Sequence, residues 1–100
     1  MGITNTTIYS TDVNIQADFF KIIGHPARLS MLRILQKYES ADISQIALLI
    51  PLAKSTLRNH LMILKDNLLI EVIIVEKRVC YKLHITYWPL IHNILKACEI

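Results

Sequence analysis

The sequence predicts a mainly α fold carrying a small β-hairpin, and three observations predict it. Apolar residues recur at helical spacing from Ile15 to Tyr38. Two further short helical patterns then meet around Pro51. Between Leu69 and Leu83 the period drops from 3.6 to about 2 before helical spacing returns. The order α-α-α-α-β-β-α is that of a winged helix-turn-helix.

Residues 1–12 are polar and β-branched without a period and read as a flexible tail, leaving residues 13–100 as one domain. Asp12 or Asn14 can cap a first helix running to about Ile23, with Ile15, Phe19, Ile22 and Ile23 on one stripe. Gly24 ends that helix, and His25-Pro26 opens the next, since proline suits a first helical turn. This second helix, Pro26 to about Tyr38, is apolar over a wide arc and is expected at the centre of the core.

Glu39 to Asp42 breaks the period, and Asp42 is placed to cap a short helix from Ile43 to about Leu49 or Ile50. Pro51 ends it by disfavouring the helical conformation at the residue before it. Leu57, Leu61 and Leu64 then mark one face of another helix, with Lys54, Ser55, Arg58, Asn59 and Lys65 on the other. Two short helices joined by a tight turn, the second polar and basic on one side, form a helix-turn-helix. Leu69 to Val75 and Val79 to Leu83 read as strands, with Glu76, Lys77 and Arg78 as their turn. Thr86 begins a last helix lined by Tyr87, Leu90, Ile91, Ile94, Leu95 and Cys98, with Pro89 tolerated in its first turn.

The chain of 100 residues is 53% hydrophobic and 19% charged, the reverse of a disordered composition. That is more apolar surface than so short a domain easily hides, so part of it is expected against a partner. Between Lys54 and Lys82 six cations face three carboxylates, a surplus equal to the net charge of +3 for the whole chain. A local basic face of this kind is what phosphate neutralisation requires. Cys80 and Cys98 are too few for a disulfide framework or a metal knuckle. The N-terminus lacks the build of a signal peptide and the apolar runs are too short for a membrane span, so the expected location is the cytoplasm.

Three stretches resemble the arsenic-repressor-like (ArsR/SmtB) family of winged-helix regulators. FKIIGHPARLSMLRIL, from Phe20 to Leu35, is similar to that family's opening run, a-l-x-(D/H)-P-x-R-L-x-I-L. LAKSTLRNHL, from Leu52 to Leu61, followed by Leu64-Lys65-Asp66 and Leu69-Ile70, is similar to its recognition helix and the start of its wing. VCYKL, from Val79 to Leu83, resembles its second wing strand, so the likeness covers about residues 15 to 98. The resemblance implies a homodimeric repressor whose recognition helices enter successive major grooves of a near-palindromic operator in double-stranded DNA. It also implies an interface built from the first and last helices. Their apolar stripes agree: Ile15, Phe19 and Ile22 on one, and Tyr87, Leu90, Ile91, Ile94, Leu95 and Cys98 on the other.

Lys54, Ser55, Thr56, Arg58 and Asn59 match the family's exposed recognition face. Arg58 suits guanine and Asn59 suits adenine, each bidentately, at ~1–3 kcal/mol of discrimination per good pair. Ser55 and Thr56 are short hydroxyl donors for a phosphate or a close base edge. Lys65 adds to the basic side of the same helix, and Lys77 and Arg78 at the hairpin tip would reach a phosphate or the minor groove. His60 stands where the family has histidine and reads as a hydrogen-bonded, partly buried structural residue.

The sequence departs from the family's pattern at several positions. Ala53 stands where a capping serine is usual, so that Lys54 or Ser55 could shift the helix start. Pro51, Leu68 and the turn near Glu76 lack the usual glycines, and Asn67 is expected to adopt the left-handed conformation instead. The family's cysteine pair would fall at Asp42 and Ser44, neither a thiolate, which removes the soft-metal site. His84, His92 and Glu99 do not have the spacing of the alternative metal site, and Cys80 and Cys98 leave a redox switch open but unsupported. No cofactor, metal or small-molecule ligand is therefore expected. With no acid pair, nucleophile constellation or phosphate-binding glycine loop, an enzyme is the poorest fit; the alternative to a repressor is a protein-interaction module that has lost DNA binding.

Overall fold

The computed structural model describes residues 8–98. Its elements run α1 (Thr11–Ile23), α2 (Pro26–Tyr38), β1 (Ala41–Asp42), α3 (Ile43–Leu49), α4 (Lys54–Asp66), β2 (Ile70–Val75), β3 (Arg78–Leu83) and α5 (Trp88–Ala97). The fold is the winged helix-turn-helix, with one addition. The two residues of β1 pair with Tyr81 and Cys80, so the hairpin becomes a three-stranded antiparallel sheet in the order β1-β3-β2. So short a strand is set by its partner and has no period of its own to read.

Most boundaries follow local chemistry. The His25 ring accepts the Ala27 N–H at 3.1 Å and Pro26 takes the first turn of α2. Asp42 caps α3 in a full capping box: its carboxylate accepts the Gln45 N–H, and the Gln45 side chain accepts the Asp42 N–H, both at 2.8 Å. Ile50, ahead of Pro51, is extended.

Several expectations are corrected. The cap of α1 is Ser10, whose hydroxyl accepts the Val13 N–H at 3.2 Å, so the helix starts before Asp12 and Asn14. The expected tail thus falls partly in α1, and residues 1–7 of it lie outside the described residues. Leu68 (φ 61°), not Asn67, takes the left-handed conformation after α4; Asn67 instead bonds back to the Ile63 carbonyl. Arg78 belongs to β3, leaving Glu76 and Lys77 (φ 49° and 67°) as a two-residue turn of the primed type. The last helix starts at Trp88, two residues after Thr86.

The core gathers one apolar face from each element: Met31, Leu32 and Leu35 of α2, Ile46 of α3, Leu57, Leu61 and Leu64 of α4, Ile70 and Leu83 of the sheet, and Ile91 of α5. Leu29 and Tyr38, at the edges of the apolar arc of α2, stay exposed. Burying a leucine fully is worth ~1.5–3 kcal/mol, so the three leucines of α4 fix which side of that helix faces outward.

Candidate nucleic-acid interface

α4 begins without a side-chain cap: Ala53 holds the cap position in an extended conformation and bonds only through its backbone. The start of the helix is instead tied to α3 by Lys54, whose Nζ donates to Ser44 Oγ at 3.3 Å. Lys54 and Ser55 do not move the helix start, which lies where an Ala53 cap puts it. With Leu57, Leu61 and Leu64 buried, helical geometry of about 100° per residue sets Ser55 and Asn59 on the opposite crown. Lys54, Arg58 and Lys65, at spacings of four and seven, share one flank, and Thr56 lies on the other. All six are exposed. Arg58 and Asn59 make no side-chain bond to the protein among the described residues, so their donors and acceptors are free for another molecule.

Lys65 lies in the last turn of α4, about 16 Å along the axis from Lys54, where a cation also complements the helix dipole. Lys77 stands exposed at the hairpin tip. Arg78 is exposed as well, but its guanidinium donates to Asp42 Oδ2 at 3.3 Å and ties β3 to the cap of α3. The Gln45 N–H holds the Asp42 carboxyl below its ordinary range, and Arg78 lowers it further.

His60, on the buried shoulder of α4, faces protein. Its Nδ1 accepts from Arg28 Nε at 3.2 Å and its ring lies 4.4 Å from that of His25. Burial, then the His25 and Arg28 charges, keep its pKa below the usual imidazole value. Sequence reasoning missed Met62 altogether. It is 58% exposed and continues the crown three residues after Asn59, a spacing that was available in the sequence.

Residues 25–72, from the cap of α2 through the helix-turn-helix into β2, match the model of the bacterial regulatory protein, arsR family. That match spans 48 of the 100 residues and makes the helix-turn-helix segment similar to that family's. The match supports a DNA-binding transcriptional regulator. Solved structures agree in fold. The transcriptional repressor BigR from Xylella fastidiosa superposes with a TM-score of 0.80 at 20% identity, over 87% of this chain and 86% of that one. The transcriptional repressor PagR of Bacillus anthracis gives 0.75 at 22% identity, over 88% and 97%. HlyU from Vibrio cholerae gives 0.77 at 18% identity, over 90% and 98%. No curated protein matches the chain in sequence.

The residues expected at a dimer interface divide into three groups. Phe19 (8% exposed) and Ile91 (2%) are buried in the chain's own core, with Phe19 5.3 Å from the Tyr87 ring, and offer no free surface. Ile22, Tyr87, Ile94 and Leu95 are half-buried against that core. Ile15, Leu90 and Cys98 are exposed. Cys80 is buried in β3, and both cysteines are free. Among the described residues no three His, Cys, Asp or Glu side chains are grouped to hold a metal ion, and no helix is long and apolar enough to cross a membrane.

Proposed function

We propose that the chain is a homodimeric repressor that reads a near-palindromic operator through the major groove with α4. The observation that carries this reading is the exposed polar crown of α4 with its basic flank, set by three buried leucines on its other side. Arg58 and Asn59 supply the bidentate pairs that distinguish bases. Lys54, Lys65 and Lys77 supply phosphate contacts, and Ser55 and Thr56 short donors. Arg78 reaches a phosphate only by sharing its guanidinium with Asp42. Two of the structural neighbours, BigR and PagR, are transcriptional repressors, which supports the sign of regulation. The exposed apolar residues of α1 and α5 support pairing of two copies.

The test is a titration of the purified protein against the DNA upstream of its own coding sequence, at two salt concentrations, with random duplex as competitor. The reading expects binding that weakens with salt, survives competitor and loses its sequence preference in the Arg58→Ala, Asn59→Ala double variant. Binding that any duplex competes away equally would favour a protein-interaction module.

A further inference from the structure

Along α4 the crown opposite the buried leucines is formed by Ser55, Asn59, Met62 and Asp66. Three of the four are polar, as solvent or DNA would require. Met62 is the exception and the one large apolar side chain among the exposed residues of this helix. The fold does not explain it: the core side of α4 is filled by Leu57, Leu61 and Leu64, and lysine or glutamine would form helix as well as methionine does. Met62 lies three residues beyond Asn59, about 4.5 Å further along the axis, close to the 3.4 Å step between successive bases. Asp66, one turn later, is a carboxylate that phosphates would repel, so Met62 is the last residue of the crown suited to DNA.

We propose that Met62 is a specificity-determining residue, packing its thioether against the 5-methyl group of a thymine beside the base read by Asn59. This rests on the reading of α4 as the recognition helix. Thymine's methyl is the apolar feature of the major-groove floor, and the unbranched, polarisable methionine side chain adapts to such a contact. The crown then reads a polar edge with Asn59 and an adjacent apolar one with Met62.

The test replaces thymines by deoxyuridine, one at a time, in the upstream duplex that the protein protects in footprinting, which removes single methyl groups. Burying one methyl-sized group corresponds to about a fourfold change in affinity. The expected result is one thymine in each half-site whose replacement weakens the wild type about fourfold. That same replacement should leave Met62→Ala unchanged and should still weaken Met62→Leu. Equal responses of wild type and Met62→Ala at every thymine, or no response by the wild type, would overturn the proposal while leaving operator recognition standing. Absence of any sequence-preferring binding would overturn both. Met62 is exposed, so the alanine variant retains the fold, which its circular dichroism would verify.

Discussion

Arg28 Nε donates to His60 Nδ1 at 3.2 Å, joining α2 to the back of α4. Arginine can only donate, so Nδ1 must be bare and a neutral ring carries its proton on Nε2. The same guanidinium also donates to the Ile22 carbonyl at 3.1 Å, so one side chain fastens α1, α2 and α4 together. Protonating His60 would set an N–H against the Arg28 donor, with the His25 ring 4.4 Å away.

Acid sensitivity follows from that bond. Burial first, then His25 and Arg28, depress the His60 pKa in the folded chain. The unfolded chain therefore binds the extra proton first, below about pH 6.5. The stabilisation is complete above that pH and is lost as pH falls through the lower folded value. Thermal melts at pH 7.5 and 5.5 should show a drop in Tm that is smaller in His60→Gln, whose amide oxygen can still accept from Arg28. An equal drop in both proteins would mean that His60 does not govern the acid response.

The two sides of α4 should separate stability from recognition. Leu61→Ala removes a side chain from the packed core and should cost about 2–5 kcal/mol in urea unfolding. Arg58→Ala, exposed and without a bond to the protein among the described residues, should stay within about 0.5 kcal/mol. Its effect should instead fall on operator affinity. A large loss of stability in Arg58→Ala would make that face structural.

The wing turn separates backbone strain from phosphate contact. Glu76 and Lys77 both hold positive φ, which asparagine and glycine adopt more readily. The double change Glu76→Asn, Lys77→Gly should stabilise the protein by on the order of 1 kcal/mol. If Lys77 meets a phosphate, the slope of log affinity against log salt should also become shallower by about 0.9. A stabilised variant with an unchanged slope would leave the wing tip off the DNA.

Helix order, the wing and the polar crown were legible because each rests on a periodicity or a capping residue within one segment. The leucine spacing at 57, 61 and 64 fixes the facing of α4 without knowledge of the rest of the chain. What escaped depends on partners distant in sequence. β1 exists through its register with Tyr81 and Cys80, Arg78 is drawn to Asp42 across the sheet, and His60, legible as a hydrogen-bonded structural residue, finds its partner in the distant Arg28. Leu68 takes the strained conformation because the chain must turn there to deliver Leu69 and Ile70 to the core, whatever its residue preference. Likewise, apolar stripes on α1 and α5 cannot by themselves separate residues facing the chain's own core from residues facing a second copy.

That ambiguity sets the last prediction. Ile15 is 55% exposed and Leu90 45%, on the stripes of α1 and α5 respectively, whereas Phe19 between them is buried in the core. If two copies pair through these helices, charges at the exposed positions should break the pair without unfolding the chain. Ile15→Glu with Leu90→Glu should sediment as a monomer, keep its helical circular dichroism and lose operator affinity, because two half-sites can no longer be bound together. Phe19→Ala should behave differently, losing about 3–5 kcal/mol of stability through a cavity in the core. A double variant that still sediments as a dimer would place the interface on other surfaces, such as the exposed apolar residues Val72, Ile74 and Val79 of the wing.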